Sequence, residues 1–282
     1  MAAPPIVTEQ RLPPNAEYAS AAIVFDSVSL AFEDKVVLDG ISFTLPKGET
    51  KAIFGVAGSG KSTILKLALG LIKPDAGLIH VLGEEITHMK EEDLFELRRK
   101  IGMVFQESAL FDSLTVRENV AFRLLEEGNV SEEQVDQPVR QALSFVELEN
   151  TVDMYPSELS GGMRRRVAIA RAIITRPELL LYDSPTGGLD PVTSTTIIQL
   201  IVKQRDVYKT SSLMVTHRLQ DAFIMANHYF DPKTNQMQPL PPGTRSEVPM
   251  GFLILLDGKI IFDGDAHELA HSKDEYIREY IS

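Results

Sequence analysis

The run Gly55-Val-Ala-Gly-Ser-Gly-Lys-Ser62 constrains this chain more than any other segment. Glycine, four residues, then Gly-Lys-Ser is the spacing of a phosphate-binding loop. The apolar run Ala52-Ile-Phe54 precedes it, and the helical run Thr63-Ile-Leu-Lys-Leu-Ala-Leu69 follows it. That strand–loop–helix context is the one the motif needs. Its glycines let backbone N–H groups turn inward around a phosphate chain. The following helix N-terminus adds partial positive charge, worth roughly 0.3–1 kcal/mol per anionic contact. Lys61 can reach the outer phosphates of a nucleoside triphosphate, and the Ser62 hydroxyl can ligate Mg²⁺. The candidate nucleotide-binding set here is Gly55, Gly58, Ser59, Gly60, Lys61, Ser62 and Thr63.

Around this loop, strand-like and helix-like runs alternate. Short β-like runs at 23–25, 28–32 and 41–45 come first, and Pro46-Lys-Gly48 turns into the strand that feeds the loop. Residues 91–100 read as a charged helix and 101–105 as a buried strand. Residues 107–165 look more helical. Ser131 with Gln134 fits a capping box, and Val135, Val139, Leu143 and Val146 recur at helical spacing, with Pro138 arguing for a late start or a bend. Leu179-Leu-Leu-Tyr-Asp183 is an apolar strand ending in an acid, and Leu213-Met-Val-Thr216 is a strand ending at a histidine. Such alternation implies an α/β fold with a parallel sheet and function at the carboxyl ends of its strands. Residues 1–20, rich in Pro and Ala, are expected as a disordered, mobile tail. The Pro-rich polar stretch 231–250 is expected as an inserted surface loop.

Composition narrows the function classes. With 282 residues, 44% of them hydrophobic, the chain can bury a sizeable core. A net charge of −12 disfavours nucleic acid, which rewards clustered Lys and Arg. The absence of cysteine excludes disulfides and cysteine-ligated metal sites, and is compatible with a reducing compartment. The most apolar stretches, 64–72 and 252–256, fall well short of the roughly 18 residues of a membrane span. The first residues lack a basic region followed by an apolar one, so no secretory signal is expected. A soluble protein that can dock on a membrane partner is the expectation.

Further elements narrow the nucleotide reading. Gln106 follows the 101–105 strand. Leu159-Ser-Gly-Gly-Met163 opens a helix, where the Ser160, Gly161 and Gly162 N–H groups and a small hydroxyl make a second anion site. Asp183 ends a buried strand, Gly188-Leu-Asp-Pro191 follows it, and His217 ends the next strand. In this order the chain, from about Ala22 onward, resembles the ATP-binding cassettes of ABC transporters. The resemblance implies a P-loop NTPase with a RecA-like parallel sheet core, an antiparallel β subdomain and a helical subdomain carrying the signature motif. It implies ATP and Mg²⁺ as ligands, the metal being held by Ser62, Gln106 and Asp183. Phe32 fits the aromatic position that stacks on adenine, although an isolated strand Phe also serves for core packing. His217 matches the switch histidine that senses the γ-phosphate. The resemblance also implies a second copy of the chain. Ser160-Gly-Gly162 of one copy then closes on the triphosphate held by the other, with Asp190 lying across the interface.

One position departs from the family pattern. Typical cassettes carry Glu directly after the strand-ending aspartate, and here Ser184 stands in Tyr182-Asp-Ser-Pro-Thr186. A neutral hydroxyl cannot act as a base near pH 7, and a positioned general base contributes roughly 10²–10⁴-fold. The expectation is slow but non-zero hydrolysis, with Ser184, His217 and Gln106 around the attacking water; a Glu or Asp from elsewhere in the chain filling the base's place is the alternative. Ser108-Ala-Leu-Phe111 after the glutamine loop, and Gly-Gly-Met163 in the signature, look like the ATPase of Mla/Mce-type lipid transport systems. That implies inner-membrane permease subunits, phospholipid movement between membranes, and a peripheral place on the cytoplasmic face of the inner membrane. Two alternatives stand beside it: a nucleotide-gated dimerisation module that hydrolyses little, and the ATPase of another ABC importer. A soluble ABC protein acting on DNA or ribosomes is disfavoured by the single cassette and the acidic charge.

Overall fold

The computed structural model describes residues 16–281 apart from 34, 127–130, 132–133 and 242. Its centre is a six-stranded sheet built from β3 (Thr50–Phe54), β6 (Ile101–Val104), β7 (Leu179–Asp183), β8 (Ser211–Val215), β11 (Met250–Leu256) and β12 (Lys259–Asp265), in the order β12-β11-β3-β8-β7-β6. All neighbours run parallel except β12, which turns back on β11. Every residue of β3 and β8 is buried. A parallel sheet covered on both faces buries its strands on both sides. Ala52-Ile-Phe54 and Leu213-Met-Val215 are the apolar parts of these two, while Thr50, Lys51, Ser211 and Ser212 are buried polar residues at their starts.

Side-chain alternation divides the core in two. On one face Phe54, Leu180, Tyr182, Met214, Phe252 and Ile254 join one hydrophobic cluster. That cluster is completed by α4 (Val116–Glu126), α5 (Asp136–Phe145), α6 (Gly161–Ile173), α7 (Pro191–Tyr208), α8 (Leu219–Asn227), α9 (Ala266–Ala270) and α10 (Glu275–Ile281). On the other face Ile53, Leu179, Leu181, Leu213, Val215 and Leu253 join a second cluster. Helices α2 (Lys61–Ala68) and α3 (Glu91–Arg99) cover this side, with a four-stranded antiparallel sheet of β1 (Ala21–Phe32), β2 (Lys35–Pro46), β4 (Ala76–Val81) and β5 (Glu84–Glu85) in the order β2-β1-β4-β5.

Several segments differ from the sequence expectation. The runs at 23–25 and 28–32 are one strand, β1, with a register shift between Phe25 and Val28 where Ser27 takes a left-handed φ of 52°. Helix α5 does follow the expectation of a late start: it begins at Asp136, so Pro138 lies in its first turn, where a missing N–H costs nothing. The expected mobile tail closes with α1 (Ala16–Ser20), and the Tyr18 ring stacks on His80 at 4.3 Å, which holds this end against the antiparallel sheet. The rest of that expectation, residues 1–15, lies outside the described residues. The expected inserted loop at 231–250 opens instead as a hairpin of β9 (His228–Asp231) and β10 (Gln236–Pro239). Its turn is built by Asp231, whose carboxylate accepts from Lys233 N and Thr234 Oγ1, and by Asn235 at a φ of 54°.

Register brings the functional ends level. Val215 pairs with Ile53 on one side and with Asp183 on the other. The phosphate loop, the Ser184 turn and the His217 segment therefore leave the sheet at one edge, at the carboxyl ends of β3, β7 and β8.

Candidate nucleotide-binding and hydrolysis site

The loop from Gly55 to Gly60 bends sharply enough to exclude side chains at its start. A Cβ on Gly55 would run into the Leu255 carbonyl oxygen and the Ser59 hydroxyl, so the loop lies tight against the end of β11. The Gly55 N–H donates to Tyr280 Oη at 3.2 Å, which ties the loop to α10. Gly60 caps α2 with a left-handed φ of 97°, no side chain caps this helix, and its first turn carries no acid. The opening N–H groups of α2 thus have no intrahelical partner and present the positive end of the helix. Lys61 folds back over the loop, its ammonium donating to the Gly55 and Val56 carbonyls, each at 2.7 Å. An uncapped helix end and a cation held by loop carbonyls fit a phosphate chain, and Thr63 sits in that same first turn.

The metal-ligand chemistry is also in place. Ser62 Oγ donates to Asp183 Oδ1 at 3.1 Å, across from the end of β7. Burial pushes the Asp183 carboxyl above the usual aspartate range, opposed by Ser62, Lys66 and Lys61. Burial likewise holds the Lys61 ammonium below the usual lysine range, with Asp183 pulling it back up. A hydroxyl and a carboxylate this close form a hard oxygen donor set of the kind Mg²⁺ takes. Gln106 follows β6 and is exposed, as is His217 after β8. Phe32 ends β1 and is 51% exposed, so it is not a core residue and leaves its ring free to stack.

Ser184 is buried, with 8% of its surface exposed and a left-handed φ of 44°. Its N–H donates to the Val215 carbonyl at 2.8 Å, and its own carbonyl accepts from Gly187 N at 2.9 Å. A Cβ placed on Gly187 would lie 3.4 Å from Ser184 Cβ and 3.5 Å from Gln106 Cγ, so the fold does bring these two side chains to one spot.

The second anion-binding element stands apart. Ser160 caps α6 by accepting from Met163 N at 3.2 Å, and no acid occupies the first turn of that helix. Gly161 faces Leu189, and a Cβ on Gly162 would strike Thr193, so this turn packs against the start of α7. Asp190 caps α7, accepting from Val192 N and Thr193 N at 3.0 Å each, and these bonds with that of Thr193 Oγ1 hold its carboxyl below the usual range. Its carboxylate is committed to its own helix.

Three features escaped the sequence reading. Arg165 is 4% exposed and donates to the carbonyls of Gln106, Ser184, Pro185 and Gly187. Its place on the apolar face of the signature helix, three and four residues before Ala168 and Ile169, was the available signal. Asp221, buried, accepts from Thr186 Oγ1, and Arg218 lies 3.5 Å away while donating to Ser194 Oγ. Asn119, fully buried, holds the stretch after the glutamine loop: it accepts from Phe111 N and donates to the Phe111, Leu114 and Thr115 carbonyls.

The ABC transporter family profile matches residues 38–187. The chain is 38% identical over 261 residues to the Arabidopsis thaliana protein TRIGALACTOSYLDIACYLGLYCEROL 3, chloroplastic, covering 89% of this chain and 71% of the relative. It is 33% identical over 254 residues to the intermembrane phospholipid transport system ATP-binding protein MlaF of Escherichia coli (strain K12), covering 90% and 86%. It is 42% identical over 183 residues to the methionine import ATP-binding protein MetN of Carboxydothermus hydrogenoformans, covering 65% of this chain and 54% of that protein. The dimeric post-hydrolysis structure of the ATP-binding cassette MJ0796 with ADP and Pi superposes at a TM-score of 0.71, with 29% identity, covering 86% of this chain and 98% of that one. The chain is thus a member of the ABC transporter family, an ATP-hydrolysing cassette.

Proposed function

We propose that this cassette energises a membrane permease that moves phospholipid, or a related hydrophobic substrate, between membranes. The observation that carries this reading is the extent of the match to MlaF, which runs over 90% of this chain and 86% of that relative. The match to the methionine importer ATPase is higher in identity, at 42%, but stops at 65% of this chain. Amino-acid import is therefore the second reading. In both, the cassette sits peripherally on the cytoplasmic face of the inner membrane, through its permease.

In the proposed cycle two copies meet head-to-tail. Lys61 and the opening N–H groups of α2 in one copy hold the triphosphate of ATP, Phe32 stacks on adenine, and Ser160-Gly-Gly162 of the other copy closes over the outer phosphate. Ser62, Asp183 and Gln106 would hold Mg²⁺, which when bound would supply charge neutralisation for the phosphates. His217 contacts the γ-phosphate. Ser184 and Gln106, which converge over Gly187, orient the attacking water by hydrogen bonds but do not take its proton, which passes to a phosphate oxygen as the bond to ADP breaks. Hydrolysis is consequently slow, and the ATP-bound dimer is long-lived.

The test is purification of the tagged full chain from membranes of its source, with mass spectrometry of the proteins and lipids attached. The proposal expects a permease with bound phospholipid. Recovery of an amino-acid permease without stoichiometric lipid would move the assignment to the second reading.

A further inference from the structure

We propose that Arg165 is a positioning residue for hydrolysis. Its guanidinium binds the glutamine loop, the Ser184 turn and the Gly187 backbone into one unit fixed to the signature helix. Nη1 donates to the Ser184 and Pro185 carbonyls at 3.0 and 2.7 Å. Nη2 donates to the Gln106 carbonyl and reaches that of Gly187 at 3.4 Å. These carbonyls belong to the two segments whose side chains, Ser184 and Gln106, face each other over Gly187.

The energetics argue against a purely structural role. The residue is buried, with 4% of its surface exposed. All four hydrogen-bond acceptors are neutral carbonyls, and the buried Nε has no partner among the described residues. A buried cation without a bonded carboxylate is a costly way to gain stability, and well-packed apolar residues often do as well or better. What the guanidinium supplies instead is geometry. Its rigid planar fork fixes several acceptors at once, which a lysine ammonium on a flexible stem cannot do. Arg165 also lies five residues from Ser160 on one helix. A shift of α6 as its N-terminus closes on an anion therefore moves the backbone of Gln106 and Ser184 with it.

This inference rests on the ATPase activity and not on the lipid assignment, so failure of the lipid experiment leaves it untouched. The experiment uses the full-length chain and Arg165→Lys, with Arg165→Gln as the second variant should the first fail to fold. Equilibrium binding of Mg²⁺-free ATP, thermal stability and single-turnover hydrolysis with Mg²⁺ are measured on each. Displacement of reacting groups by about 1 Å costs on the order of 10²-fold. The expected result is a fall of that order in the single-turnover rate, with affinity for Mg²⁺-free ATP unchanged within about twofold because the phosphate loop is intact. A cycle with Ser184→Glu adds a readout that lost stability does not move. Any rate gained from the introduced carboxylate should shrink at least about tenfold in the Arg165→Lys background, since residues of one network do not act additively. Hydrolysis within about twofold of the native rate would overturn the proposal. So would equal loss of rate and of affinity for Mg²⁺-free ATP in step with thermal stability, or an undiminished gain from Ser184→Glu.

Discussion

Replacing Ser184 by Glu tests the central chemical claim. The backbone at this position is held by the bonds of Ser184 N to Val215 O and of Gly187 N to Ser184 O, with Arg165 on the same carbonyl. A left-handed φ of 44° is strained for Ser and Glu alike, so Ser184→Glu adds little backbone cost. The cost comes from the side chain. Position 184 is 8% exposed and follows Asp183, whose carboxyl burial already pushes up. A second carboxylate there is partly desolvated and repelled, which lowers the stability of the nucleotide-free protein by about 1–3 kcal/mol. A positioned base contributes roughly 10²–10⁴-fold, or about 2.7–5.4 kcal/mol of barrier at 1.36 kcal/mol per decade. The assay is single-turnover hydrolysis, with enzyme in excess over radiolabelled ATP and Mg²⁺ saturating, so that product release does not mask chemistry. Ser184→Gln is the control, because it has the shape of Glu without the basicity. The expected order is Glu above Ser and Gln by at least about tenfold. A Glu rate within about threefold of native, or a Gln rate equal to that of Glu, would refute the reasoning that the missing base limits hydrolysis.

Two further perturbations probe the scaffold around the site. Asn119→Ala removes the acceptor of Phe111 N and the donor to three carbonyls at a fully buried position, so a loss of about 2–3 kcal/mol is expected, read as a lower urea midpoint at unchanged slope. Limited proteolysis of the same variant should cut first near 105–115. Tyr182 is wholly buried and burial raises its pKa far above the ordinary value of 10.0. The folded state thus keeps a proton that the unfolded state releases, so stability is full below pH 10 and falls as pH rises beyond it. Tyr182→Phe, which loses only a 3.4 Å bond to Gln204, should flatten that alkaline decline when urea stability is compared at about pH 8 and above pH 10. An unchanged slope would show that the ring becomes hydrated in the native state.

Short-range spacing carried much of this molecule. The phosphate loop, the strand ending at Asp183, the signature turn and His217 are legible because each needs particular residue types within a few positions, and the apolar runs Ala52-Ile-Phe54, Leu179-Leu-Leu-Tyr182 and Leu213-Met-Val215 mark a sheet covered on both faces. The hairpin at 228–239 was less legible, because Pro and polar residues form turns and loops alike. What only the tertiary structure decided are the contacts made across sequence distance. The level of Ile53, Val215 and Asp183, the Gly55–Tyr280 bond, the meeting of Ser184 with Gln106, and the four carbonyls gathered by Arg165 all depend on strand order and helix packing. Local pattern reports which backbone a segment prefers, whereas a buried guanidinium finds its acceptors only after distant loops have been brought to the same sheet edge.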